Sequence, residues 1–148
     1  MLNFKRINKT KEIERLLYKY NDNFSPRIST IVKNMQEYAK KLAEKSYFYS
    51  IINFQEEIGI LGFYLNLDLN QCYINLICLK REHQNKGLGY YILKFCEKEV
   101  RKYKISRIRL EVYKNNKKAI SFYKNNNFKK ENIESEKTYH LVKLLEEE

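Results

Sequence analysis

The spacing of apolar residues changes several times along the chain, and each change predicts an element. Residues 2–8 alternate weakly and read as a first strand. Ile13, Leu16, Leu17 and Tyr20 then recur at helical spacing, with Thr10 as the expected N-cap and Ile13 where a capping box would place Glu. Phe24-Ser25-Pro26 breaks the chain, and a second helix is expected over 29–45, with Ile31, Met35, Tyr38, Ala39 and Leu42 on one face. Tyr47 to Asn53 and Ile58 to Leu67 are rich in aromatic and β-branched residues and read as two strands around a polar turn. Cys72 to Leu79 alternates with both faces apolar, which predicts a central strand covered on both sides.

Lys80 to Gly89 is a polar turn containing Gly. Leu88, Ile92, Cys96 and Val100 follow as a helical stripe, flanked by Tyr91, Phe95 and Tyr103. Arg107 to Tyr113 reads as a strand, Asn116 to Asn126 as a helix, and Phe128–Ile133 and Lys137–Leu144 as two closing strands. The order is strand, two helices, three strands, helix, strand, helix, two strands. Helices and strands alternate only in the second half, so the fold class is α/β of the α+β type, with a mixed sheet. No internal repeat or linker divides the chain, and a single domain over 1–148 is expected.

Composition narrows the class. The chain has 148 residues, 43% hydrophobic and 32% charged, as a globular domain does and a disordered one does not. Three Cys argue against a disulfide-stapled secreted domain. The longest apolar run, Ile58 to Leu65, is far shorter than the ~20 residues of a membrane-spanning helix. No signal peptide is visible, so a cytoplasmic location is expected. The net charge of +11 is uneven: Gln71 to Lys130 carries 16 Lys or Arg against 4 Glu, and the rest of the chain is close to neutral. A phosphate-bearing partner is implied. The terminal acids Glu146 to Glu148 read as a solvated tail.

The chemistry concentrates in Leu79-Lys80-Arg81-Glu82-His83-Gln84-Asn85-Lys86-Gly87-Leu88-Gly89, between a buried strand and an amphipathic helix. Glycines let the backbone approach a ligand, and the first N–H groups of the helix are free to bind an anion such as a pyrophosphate. A dinucleotide fingerprint would need Gly at position 92, where Ile92 stands. A P-loop would need a closing Gly-Lys-Ser/Thr, which is absent. Lys86 to Tyr90 is similar to the start of an RNA-binding RNP1 strand, but residues 88–100 repeat with helical period. A Gly-containing turn with no ligand is the plain alternative.

A second motif follows one strand later. Leu110-Glu111-Val112 is succeeded by Asn116, Ala119, Phe122, Tyr123 and the Asn127-Phe128 pair. Together the two stretches resemble the GCN5-related N-acetyltransferase (GNAT) superfamily. Gln84, Gly87 and Gly89 match its Gln/Arg-x-x-Gly-x-Gly/Ala signature, and residues 110–128 match its Leu-x-Val, Asn-x-x-Ala-x-x-Phe-Tyr and Gly-Phe pattern. Asn127 replaces the usual Gly and is the non-Gly residue best suited to a left-handed helix cap. Arg81 stands where many members have Pro.

The resemblance implies acetyl-CoA as co-substrate, held mainly by residues 71–130. It implies that the backbones of Ile77 and Leu79 pair with the pantetheine arm at a splay in the sheet. The amides of Gln84, Asn85, Lys86, Gly87, Leu88, Gly89 and Tyr90 would cradle the pyrophosphate, with Arg81 and Lys86 near the 3′-phosphate. Asn116 would reach the pantetheine or the helix start. Tyr123 takes the family's general-acid position, protonating the thiolate that leaves when a neutral amine attacks the thioester. Glu111 is a candidate base, with Glu82 and His83 as weaker ones, and a relay through water is the alternative. One more core aromatic is the plain reading of Tyr123.

Cys72, Cys78 and Cys96 sit at apolar positions, their spacing fits no zinc knuckle, and no metal is expected. The acceptor expected is a small-molecule primary amine, an amino sugar or amino acid as in some bacterial family members. Phe24, Pro26, Tyr38, Tyr47, Phe48, Tyr49, Phe63 and Tyr64 either shape its pocket or pack the core. A protein or peptide acceptor is the alternative, and a basic nucleic-acid-binding module is the reading from another class. The latter is disfavoured because the lysines of residues 94–104 lie on a helix's outer face. The protein is expected to act as a monomer or homodimer, away from membranes.

Overall fold

The computed structural model describes residues 1–146, so Glu147 and Glu148 of the acidic tail lie outside the described residues. Seven strands are present: β1 (Leu2–Arg6), β2 (Tyr47–Asn53), β3 (Glu56–Asn66), β4 (Gln71–Leu79), β5 (Arg107–Tyr113), β6 (Lys129–Lys130) and β7 (Thr138–Leu144). The helices are α1 (Thr10–Lys19), α2 (Ile28–Ile31), α3 (Met35–Lys45), α4 (Leu88–Arg101) and α5 (Lys117–Asn125). The strands form one mixed sheet in the order β1-β2-β3-β4-β5-β7-β6, which confirms the α+β class. By internal packing the chain divides into two compact units, Met1–Tyr64 with Leu76–Ile92, and Leu65–Asn75 with the chain from Leu93 on.

In the first unit, β2 and β3 form an antiparallel hairpin across Phe54 and Gln55, both at positive φ (50° and 69°), a geometry that matches the twist of the strands. Ile13, Leu16 and Leu17 of α1 and Met35, Ala39 and Leu42 of α3 bury their apolar faces with Phe48, Ile60 and Leu76. Each of the larger side chains in this set contributes roughly 1.5–3 kcal/mol when fully buried. Gly59 is required by packing: a Cβ there would overlap the carbonyl oxygen of Cys78 on β4.

Several local expectations are corrected. Thr10 is the first helical residue and Lys9 the N-cap, with no side-chain capping bond. The helix expected over 29–45 is two helices, because the Asn34 side chain accepts the Glu37 N–H at 3.0 Å and starts α3 afresh. The Ser25–Pro26 peptide is cis at the break between the first two helices.

In the second unit, β5 buries Ile108, Leu110 and Val112 on one face. β7 runs antiparallel to β5 along its whole length, from Arg107 opposite Leu144 to Tyr113 opposite Thr138. The strand expected over 128–133 is reduced to Lys129 and Lys130, opposite Val142 and Leu141. Leu93, Cys96 and Val100 of α4 are buried, but Tyr91 and Tyr103, expected to flank the core stripe, are exposed. Glu97 is buried within the same helix, held by Lys143 of β7 at 3.1 Å. Cys72 and Cys96 are fully buried free thiols, and their mutual hydrogen bond and burial push Cys96 well above the ordinary thiol range. No helix among the described residues is long and apolar enough to cross a membrane.

Candidate active site

The first motif folds as a braced loop. After β4, Arg81–His83 make one 3-10 turn, and α4 begins at Leu88. Leu88, Gly89 and Tyr90, expected in or beside the loop, therefore form the first turn of the helix, whose leading N–H groups have no intrahelical acceptor. Asn85 and Gly87 both adopt positive φ, 63° and 78°. Gly87 has open space where a Cβ would stand, so backbone conformation alone, not crowding, calls for Gly.

Hydrogen bonds to neighbouring segments hold this loop. The Gln84 amide donates to the Leu79 carbonyl at 2.9 Å, and Asn23 donates to the same oxygen at 3.3 Å. Lys80 N–H donates to Ile58 at 2.7 Å, and His83 lies 3.0 Å from the Glu56 carboxylate. Gln84, the first residue of the signature, thus acts as an internal brace. His83 and Glu56 tie the loop to the start of β3. Arg81 and Lys86 are exposed at its two ends.

The parallel pairing of β4 with β5 is confined to Gln71–Tyr73 opposite Arg107–Arg109, although both strands continue beyond it. The pairing therefore stops before Ile74 and Leu110. Backbone groups beyond that point on these edges need other partners.

The second motif lies in the other unit. Asn116 is the N-cap of α5: its side chain accepts the Ala119 N–H at 3.2 Å, which matches the helix-start role among those expected. The helix closes on a Schellman pattern. Phe128 N–H donates to Tyr123, Asn127 N–H donates to Lys124, and Asn127 takes φ 71°. Asn127 therefore holds the left-handed position expected for it.

Tyr123 is buried in the last turns of α5, edge-on to Phe122 and Phe128 with ring centres 5.2 and 5.4 Å away. Burial pushes its phenol above the ordinary tyrosine range. Such a group stays protonated at neutral and mildly alkaline pH and can donate a proton. No hydrogen bond to its hydroxyl is present among the described residues.

Glu111 sits on the β5 face opposite Ile108, Leu110 and Val112 and is exposed. Its carboxylate accepts from Tyr73 at 3.3 Å and from Thr138 at 3.0 Å, and His140 lies 3.9 Å away. Tyr73, Thr138 and His140 were not singled out by the sequence. Strand pairing brings them together: the β5–β7 register sets Glu111 opposite His140 with Thr138 close by, and the parallel β4–β5 pairing sets Tyr73 beside Arg109. Glu82 is exposed.

Of the aromatic residues of the N-terminal half, Phe48, Phe63 and Tyr49 are buried, with Tyr47 and Tyr49 stacked on Phe63. Phe24, Tyr38 and Tyr64 are only partly buried and pack against the core with Cys78. Burial and the neighbouring Tyr38 push the Tyr64 phenol up to about 12. Burial also pushes the Cys78 thiol up to about 12. Among the described residues no group of three or more His, Cys, Asp or Glu is arranged to hold a metal ion.

Comparison with known proteins places this geometry. The family described as Acetyltransferase (GNAT) family matches residues 10–128. No curated protein matches the chain. An acetyltransferase from Thermus thermophilus superposes with a TM-score of 0.81 at 18% identity, covering 98% of this chain and 97% of that one. The PaiA N-acetyltransferase from Thermoplasma acidophilum, solved in complex with coenzyme A, gives 0.73 at 22% identity, covering 97% and 99%. The ribosomal-protein-S18-alanine N-acetyltransferase from Escherichia coli gives 0.78 at 16% identity, covering 100% and 96%. The fold of the whole chain is that of these proteins, and the family match spans both motifs. The chain belongs to the GNAT acetyltransferase family.

Proposed function

We propose that the protein transfers the acetyl group of acetyl-CoA to a primary amine on a small molecule, with an amino sugar or amino acid as the acceptor class. The observation that carries this reading is the braced loop from Leu79 to Leu88. It has two left-handed residues and an unobstructed Gly87, and it runs straight into the first turn of α4. That arrangement suits a pyrophosphate, because the leading N–H groups of α4 have no intrahelical acceptor and the helix dipole adds positive potential. The positive excess of Gln71 to Lys130 suits a ligand that carries three phosphates.

Bound acetyl-CoA supplies an activated thioester. In this reading Ile77 and Leu79 offer backbone groups to its pantetheine arm. The Leu79 carbonyl already accepts from Gln84 and Asn23, so the role of Leu79 falls to its N–H. Residues 84–90 hold the phosphates. Tyr123, kept protonated by burial, gives its proton to the leaving sulfur. Glu111, with Tyr73 and His140 beside it, receives a proton from the amine directly or through water. The partly exposed Phe24, Tyr38 and Tyr64 offer aromatic faces to the apolar side of a sugar ring. The protein works in the cytoplasm.

The decisive experiment pairs calorimetry of acetyl-CoA with a thiol-release screen over amines, amino acids, amino sugars and peptides. Saturable acetyl-CoA binding and turnover on a small amine support the reading. Turnover only on peptides would move the acceptor to proteins. Salt-dependent nucleic-acid binding with no affinity for coenzyme A would overturn it.

A further inference from the structure

At the end of β4 the direction of each backbone group follows from its neighbours. The Lys80 N–H donates to Ile58 of β3 at 2.7 Å, and the Cys78 carbonyl lies against Gly59 of the same strand. In a planar trans peptide the C=O and the N–H point in opposite directions. The carbonyl and the N–H of Leu79 therefore both point away from β3. On that side β4 pairs with a strand only at Gln71–Tyr73, so Leu79 stands on an open edge.

Two side-chain amides reach this edge. Gln84 comes from the loop after β4 and donates to the Leu79 carbonyl at 2.9 Å. Asn23 comes from the 3-10 turn Asn21–Asn23 and donates to the same oxygen at 3.3 Å. Both lone pairs of that oxygen are then occupied. The edge keeps a donor, the Leu79 N–H, and loses its acceptor.

Asn23 restores one. A side-chain amide carries an acceptor oxygen beside its donor nitrogen. Nδ2 of Asn23 is on Leu79, the side chain is exposed, and Oδ1 makes no hydrogen bond among the described residues. The turn beneath it is held on both sides. The Asn23 N–H donates to Tyr20 at 2.9 Å, and Lys19 pairs with Glu57 of β3 at 2.6 Å. Asn21 bonds Ser29 twice, accepting from its N–H at 2.8 Å and donating to its hydroxyl at 2.9 Å. A polar group fixed in this way loses little freedom when a ligand arrives.

We infer that Asn23 is a further cofactor-binding residue, which carries the acceptor function of the Leu79 carbonyl outward by one amide. A carbonyl of the pantetheine arm accepts the Leu79 N–H, and an amide N–H of the arm donates to Asn23 Oδ1. The inference rests on the acetyl-CoA reading above and adds to it a residue outside both motifs.

The test compares coenzyme A with 3′-phospho-ADP, the same nucleotide without the arm, on the full-length protein. Coenzyme A is titrated calorimetrically into wild type, Asn23→Ala and Asn23→Leu, and the affinity of the nucleotide is read from its displacement of coenzyme A. Leu keeps the size of the side chain, and Gln84 keeps the Leu79 carbonyl bonded in both variants. The expected result is coenzyme A binding weakened about three- to tenfold in both, the loss of one hydrogen bond. Nucleotide affinity should change less than twofold, and Tm by less than about 2 °C, as for other exposed substitutions. If one variant does not fold, the other decides. Equal weakening of both ligands would make Asn23 a brace of the loop and overturn the inference, as would unchanged coenzyme A affinity in both variants. Wild-type protein that binds neither ligand would take down the acetyl-CoA reading itself, and this inference with it.

Discussion

The two motifs solve different problems, and the contrast appears in how each treats its backbone. The loop from Leu79 to Leu88 is a backbone device. It is largely exposed, it uses Asn85 and Gly87 at positive φ, and its best-placed side chain, Gln84, points inward to brace a carbonyl. The segment from Asn116 to Phe128 is a side-chain device. It caps both ends of a nine-residue helix so that one buried phenol, Tyr123, is held between two aromatic rings. In the proposed reading the first binds and the second reacts. A substitution in the loop should change affinity, and a substitution at the phenol should change rate.

The sharpest way to break that contrast is Tyr123→Phe. Removing a positioned general acid costs about 10²–10⁴-fold in rate. The expected result is a loss of that size in kcat, with acetyl-CoA affinity unchanged by calorimetry. Folding should survive, because the ring stays and the lost hydroxyl has no described partner to abandon. The raised phenol pKa adds a sign. Its donor form persists past the ordinary tyrosine value near 10, so kcat should rise with pH as the amine deprotonates and should not fall below pH ~10 for want of the acid. Wild-type turnover in the variant would return Tyr123 to the core.

Second in size is Gly59→Ala, which acts on the support of the loop. The added methyl must displace the backbone of Cys78, one residue before Leu79. Overpacking against main chain costs about 1–3 kcal/mol. For a chain of this length that lowers Tm by roughly 3–10 °C in a thermal melt. A melt within 1 °C of wild type would mean that β3 and β4 are looser at this point than their contact implies.

Gly87→Ala follows. No atom meets the new Cβ, so the cost is conformational, about 1–2 kcal/mol for an L side chain in the left-handed region. If the loop binds through its amides, Kd for acetyl-CoA rises several-fold while kcat at saturation holds. A fall in kcat at saturating acetyl-CoA would blur the division between a binding loop and a reacting helix.

What the sequence made legible follows the same division. Both motifs are local: a Gly or Asn that takes positive φ, a cap, a run of helical period. Their geometry is set by neighbours a few residues away, and the Schellman closure at Asn127 forms as the residue type suggested. The misreadings are all long-range or competitive. Nothing in the flanking Lys94 and Lys98 points to the burial of Glu97. Its burial depends on Lys143, which arrives on a strand 46 residues later. Thr138 and His140 join Glu111 through the β5–β7 register, and Tyr73 through the parallel pairing of β4 with β5. Thr10 lost the cap to Lys9, and the long second helix was split by Asn34, a capping residue inside an otherwise helical pattern.

The smallest effect is expected at Asn127, and it tests whether the helix end is only a cap. Asn127 holds φ 71°, where Gly pays least in the folded state but loses more freedom on folding. The two terms oppose each other, so Asn127→Gly should change stability by no more than about 0.5 kcal/mol, a Tm shift under roughly 2 °C. Asn127→Ala has no such compensation and should cost about 1 kcal/mol more, because Ala gains nothing from the local hydrogen bonding that lets Asn visit this region. Both variants should keep wild-type kcat, since the Schellman bonds that position Tyr123 come from backbone N–H groups that neither removes. A Gly variant that melts normally yet loses turnover would show that the Asn127 side chain contributes more than a cap, and would extend the reacting device one residue past the helix it closes.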